Sequence, residues 1–162
     1  MMVRTMAGIL PWAVVLVVIG GAAWWLLSRE MAAGRWLLAA LLIGHGVVHV
    51  LFVVPAPAAA DGGAEWLFNM ARSWAITGAG LEANMVRIFG LALIIVVVVG
   101  FSLAALSTVG IIVPSGWWQP IVAVSAITSA ILLILFFEPQ LVLGLGLDAV
   151  LLWVVVARAW MP

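Results

Sequence analysis

His45 and His49 are the only two histidines in the chain, and they stand four residues apart inside the apolar run from Trp36 to Val54. On a helix, positions i and i+4 share one face, a turn apart. Two imidazoles so placed can share a divalent ion, or one of them can ligate a haem iron or a chlorophyll-type magnesium. They can also pass a proton, since ionisable groups within apolar spans often mark such paths. A third group, Asp148 in Gly144-Leu145-Gly146-Leu147-Asp148, lies in another apolar stretch and is the candidate partner for each chemistry.

Each chemistry meets a limit in the sequence. As a metal site, His45 and His49 would supply nitrogen and Asp148 oxygen. The spacing resembles the His-Glu-x-x-His motif of zinc proteases, but position 46 is glycine, so the general base is missing. A non-catalytic metal site is what remains. As a macrocycle site, Gly44 or Gly46 makes room for a flat ring. Both histidines come from one helix face and cannot bracket the same haem, so a second ligand would be Met70, Met85 or a group from another subunit. With no cysteine, a covalent haem attachment is excluded.

As a proton path, His45, His49 and Asp148 are three stations over about two helical turns, short of a ~30 Å apolar core. Glu82, Arg87 and Glu138 extend it toward one surface only. The plainest account is a hydrogen bond between His45 and Asp148 that fixes two helices against each other, with a contribution of about 0.6–2 kcal/mol.

The depth of the two residues favours their meeting. His45 follows Trp36 by nine residues and Asp148 precedes Arg158 by ten. At 1.5 Å per residue both lie about 14–15 Å below one surface, provided spans 2 and 5 are neighbours.

Composition sets the surroundings. Of 162 residues, 68% are hydrophobic and 7% charged, and the mean hydropathy is +1.38. Soluble domains carry roughly 25% charged residues. The expected fold is therefore all-α: a single polytopic membrane domain over residues 1–162, a bundle of five transmembrane helices. Lysine is absent, and six arginines balance six acids. No basic run exists to bind nucleic acid.

The spans are expected near residues 9–27, 36–54, 88–112, 120–137 and 140–157, with all seven prolines at span ends or in loops. The first is longer than the apolar core of a signal peptide and is read as a span. Between spans 2 and 3, Asp61-Gly62-Gly63 marks a turn. Trp66, Leu67, Met70, Ala71 and Trp74 then form the apolar side of a short interfacial helix over about 65–76, with Asn69, Arg72 and Ser73 opposite. Trp24, Trp25, Trp36, Trp117, Trp118 and Trp160 fall at one boundary and Trp12, Trp66 and Trp74 at the other.

Arginines divide three against three between the two faces. Arg29 and Arg35 flank the shortest charged connection, which favours a cytoplasmic first connection and C-terminus and an external N-terminus.

Other polar residues have ordinary roles. Ser125 and Ser129 form a small-xxx-small packing seam, and Ser102 and Ser107 bond back to their own helix. Glu65, Arg72, Glu82 and Arg87 are solvated or paired at the surface. No nucleophile–base pair, phosphate loop or paired-carboxylate site is present, so the sequence leans away from an enzyme.

The functional expectation is an accessory or scaffolding subunit of a larger membrane assembly, in contact with lipid and with other subunits or a second copy. The alternatives are a cofactor carrier centred on His45 and His49, holding haem, a chlorophyll-type pigment or a metal, and a small proton-linked transporter using His45, His49 and Asp148.

Overall fold

A long apolar run gives backbone N–H and C=O groups no partner but each other, and the α-helix is the local structure that pairs them all. The computed structural model describes residues 2–54, 70 and 73–157, with residues 2–9 by backbone alone. It is all-helical, without strands among the described residues. The elements are α1 (Met2–Ser28), α2 (Ala32–Val48), α3 (Trp74–Gly78), α4 (Ala83–Thr108), α5 (Trp118–Leu135) and α6 (Val142–Leu152). A 3₁₀ turn, His49–Phe52, extends α2. Further 3₁₀ turns, Ser115–Trp117 and Pro139–Leu141, lead into α5 and α6, and a π turn, Trp153–Ala157, closes α6.

Five of these stretches are long and apolar enough to cross a membrane: Leu10–Ser28, Ala32–Phe52, Ala83–Thr108, Ser115–Leu135 and Pro139–Ala157. In the bundle α4 packs chiefly on α2 and α5, α6 rests on α5, and α1 rests on α2. The tight reversal between α1 and α2 depends on Gly34. A Cβ there would stand 2.7 Å from the Leu27 backbone nitrogen, so a side chain would push the helix ends apart.

The interior forms two apolar layers. One joins Ala39 and Leu42 of α2, Val97 and Phe101 of α4, Val122 and Ala126 of α5 and Leu151 of α6. The other joins Phe52, Ile94, Leu132, Leu133 and Leu141. Along α2, α5 and α6 the residues between those layers are His45 and His49, Ser129, and Asp148.

Several boundaries differ from the sequence reading. Pro11 lies inside α1 rather than in its first turn, because the helix begins at Met2. α4 starts at Ala83, with Glu82 at the N-cap position but no side-chain cap, and stops at Thr108. Arg87 is thus in the first turns of the helix, not in the preceding loop. The helix stops there because the chain turns with Gly110 and Ile112 both at positive φ. For the β-branched Ile112 that conformation is unfavourable, so the turn is held by its surroundings.

Where an interfacial helix over 65–76 is expected, the described helix is the five-residue α3, and Ser73 before it is extended rather than helical. Ser73 caps it by accepting from the Ile76 N–H, and Trp74 donates through Nε1 to the Ile134 carbonyl. The turn at Asp61, the residues Trp66, Leu67, Asn69, Ala71 and Arg72, and Arg158 and Trp160 lie outside the described residues.

Trp24, Trp25, Trp36 and Trp117 are exposed, but Trp118 is fully buried and donates to the Thr108 hydroxyl. It is a core residue that ties α5 to α4, not a boundary marker. Ser102 bonds back to Val98 O as expected, whereas Ser107 reaches forward to Pro114 O and fastens the turn.

Candidate functional site

The layer between the two apolar cores holds a closed hydrogen-bonded circuit. His45 Nε2 lies 2.8 Å from Asp148 Oδ1. The other carboxyl oxygen, Oδ2, is 2.6 Å from Ser129 Oγ. Ser129 Oγ is 3.0 Å from His49 Nε2, and His49 Nδ1 is 2.9 Å from the carbonyl oxygen of His45. Three helical segments thus meet through four side chains. His45 and Asp148, matched in depth by the sequence, are in direct contact.

The last link depends on a local change of helix type. Where α2 passes into the 3₁₀ turn, the His49 backbone N–H turns to Gly46 O. The His45 carbonyl, released from its usual i+4 donor, accepts from the His49 ring instead. A carbonyl only accepts, so His49 Nδ1 carries a hydrogen.

Burial makes the circuit compulsory. Side-chain exposure is 7% for His45 and 1% for Asp148, while His49 and Ser129 are 2% and 0% exposed. Polar groups so placed are costly unless paired. The His45 ring also meets Phe101 edge-on at 4.9 Å between centroids, and His49 at 5.2 Å.

Gly44 and Gly46, which flank His45, have different tasks. A Cβ at Gly46 would stand 3.1 Å from Phe101 Cβ, so this glycine lets α4 come close. A Cβ at Gly44 would meet nothing within 4 Å. Gly44 instead lines a groove of about 840 Å³ between α1 and α6, with α2 as its floor. Trp12, Leu16 and Ile19 form one wall and Leu143, Gly144 and Leu147 the other, with His45 and His49 on the floor.

This arrangement restricts which ligands fit. Both His49 nitrogens and His45 Nε2 are engaged. Among the described residues His45 Nδ1 has no hydrogen-bond partner. A metal shared by His45, His49 and Asp148 would have to displace these bonds, and no group of three or more such ligands stands ready among the described residues. For a macrocycle, the one imidazole nitrogen not engaged in the circuit is His45 Nδ1. Neither Met70, buried beside Phe136 and Gly90, nor the exposed Met85 lines the groove. Glu82, Arg87 and Glu138 are exposed and, among the described residues, join no hydrogen-bonded path to the circuit.

No protein family, curated protein or solved structure matches the chain. The site must therefore be judged on its own geometry.

Ser129, expected as part of a packing seam with Ser125, is instead a member of the circuit. It shares a helix face with Ser125, and only Ser125 behaves as a packing residue: its hydroxyl bonds back to Ile121 O, and it lies against Gly100 of α4. One signal was available, because Ser129 falls near the middle of its span, as His45 and Asp148 do in theirs.

Proposed function

We propose that the chain is an integral membrane protein that binds a small lipophilic molecule in the groove between α1 and α6, with His45 as the polar contact on its floor. One observation carries this reading: an apolar groove coincides with a buried imidazole that keeps one nitrogen unpartnered among the described residues. Its volume of about 840 Å³ suits a small-molecule ligand, for which sites of roughly 300–1,000 Å³ with few polar groups are usual.

The membrane setting is supported by the surface. Val17, Val18, Ile88, Ile95, Val124 and Val156 are large apolar residues exposed along the helices. Water would disfavour so continuous an apolar surface, whereas acyl chains cover it without cost. In the orientation we propose, the connection bearing Arg29 and Arg35 and the C-terminus face the cytoplasm. A reporter fused after Pro162 should respond only to cytoplasmic reagents, and labelling from outside would reverse the assignment.

The accessory-subunit reading draws on the same apolar surface, which lipid covers as well as protein does, and no particular residue supports it. A transporter reading has a proton-holding circuit but no described polar residues leading from it to either end.

Extraction of the purified protein into organic solvent tests the binding reading. Wild type should release a lipophilic compound in fixed ratio to protein, and Gly44→Leu, which places a side chain in the groove at a position where a Cβ meets nothing within 4 Å, should not. Identical extracts from the two proteins would contradict it.

A further inference from the structure

The circuit can be counted in hydrogens. It has four contacts, and each needs one hydrogen: His45 Nε2 with Asp148 Oδ1, Ser129 Oγ with Asp148 Oδ2, Ser129 Oγ with His49 Nε2, and His49 Nδ1 with His45 O. With Asp148 ionised and both rings neutral, the four side chains carry only three such hydrogens. Ser129 has a single hydroxyl hydrogen and cannot donate to Asp148 and to His49 at once.

A fourth hydrogen is needed for every contact to hold one. Two positions for it achieve this. Either Asp148 Oδ2–H donates to Ser129 and Ser129 donates to His49 Nε2, or His49 Nε2–H donates to Ser129 and Ser129 donates to an ionised Asp148. The two forms differ by a shift of two hydrogens along Ser129. In both, all four hydrogens are used within the circuit, and none is left for His45 Nδ1.

From this count we infer that His45 presents a bare acceptor nitrogen to the groove, so the groove selects lipophilic molecules whose head group donates a hydrogen bond through a hydroxyl. This rests on the groove reading above and adds the chemical class. His45 lines the groove, its side chain is 7% exposed, and Nε2 holds the ring toward Asp148. Gly144, on one wall, contributes no side chain: a Cβ there would stand 2.8 Å from Leu133 Cδ1 and 3.9 Å from His45 Cε1, the ring carbon between the two nitrogens. A carbonyl or ether oxygen in the same place would face a lone pair and lose its own hydration. A hydroxyl gives the nitrogen the one partner it lacks.

The test uses the full chain in lipid nanodiscs with two probes of one shape, 4-nonylphenol and its methyl ether 4-nonylanisole. Nitrogen-15 NMR reads the imidazoles. The chain has only two histidines, and His45 is assigned through its Gly44 neighbour, since His49 follows valine. We expect His45 Nδ1 to resonate as an unprotonated nitrogen and to shift on addition of the phenol. The phenol should bind about tenfold more tightly than the ether, and Gly44→Leu should abolish binding of both.

A hydrogen on His45 Nδ1, or equal affinity for the two probes, would overturn the donor rule while leaving the groove as a binding site. Failure of both probes to bind, or binding unchanged by Gly44→Leu, would overturn the groove reading as well.

Discussion

Ser129 Oγ lies 2.6 Å from Asp148 Oδ2, and this contact joins α5 to α6 at the centre of the bundle. The same oxygen is 3.0 Å from His49 Nε2, so one hydroxyl mediates between an acid and a base that do not touch. Ser129→Ala would strand both. Each buried polar atom left unpaired costs about 1–3 kcal/mol, and the variant should unfold at a correspondingly lower temperature in detergent. An unchanged midpoint would mean that water or a backbone group replaces the hydroxyl.

Asp148→Asn should be tolerated far better than Asp148→Ala. The amide oxygen can accept from His45 Nε2–H, and the amide nitrogen can donate to Ser129, which then donates to His49. All four contacts keep a hydrogen. We expect Asp148→Asn to stay within about 1 kcal/mol of wild type and Asp148→Ala to lose several times that, since it opens two contacts and leaves a cavity. Denaturation of both variants against wild type checks the order. Equal losses would show that the negative charge, rather than the hydrogen-bond pattern, is what the circuit needs.

The two glycines beside His45 give a contrast of another kind. Gly46→Val should destabilise by about 1–3 kcal/mol, because its side chain would press on Phe101 and on the α4 backbone near Val97 and Val98. Gly44→Val should leave stability nearly unchanged, as its side chain enters open groove. Thermal midpoints of the pair decide the matter, and similar losses at both sites would place Gly44 in a packed interface.

Trp118→Phe isolates the second polar tie of the bundle. The indole Nε1 donates to Thr108, whose own hydroxyl donates to Ala104 O. Phenylalanine keeps most of the buried ring and loses that bond, so a loss of about 1 kcal/mol is expected. A much larger loss would mean that the volume of the indole dominates.

These features were unequally legible in the sequence. The meeting of His45 with Asp148 could be read because helical rise is linear, so counting from span ends gives depth. The role of Ser129 could not. A serine or threonine within a helix ordinarily bonds to its own i−4 carbonyl, and Ser102, Thr108, Ser125 and Thr128 all do so. Ser107 and Ser129 turn away instead, and nothing in the neighbouring sequence marks Ser129 as the one that reaches another span.

The 3₁₀ turn at His49 was hidden for a related reason. It changes backbone partners from i−4 to i−3 without changing the apolar pattern, yet it frees the carbonyl that closes the circuit. The groove was out of reach too, since it depends on where α1 comes to rest on α2, and α1 is apolar on every side from Ile9 to Leu27.

A crystal structure of the protein grown in a lipid phase with 4-nonylphenol tests the central claim most directly. The account predicts density between α1 and α6 with the hydroxyl oxygen about 2.7–3.0 Å from His45 Nδ1, while His45 Nε2 stays on Asp148. A groove closed by α1 against α6, or filled by an acyl chain with no polar atom near His45, would contradict it.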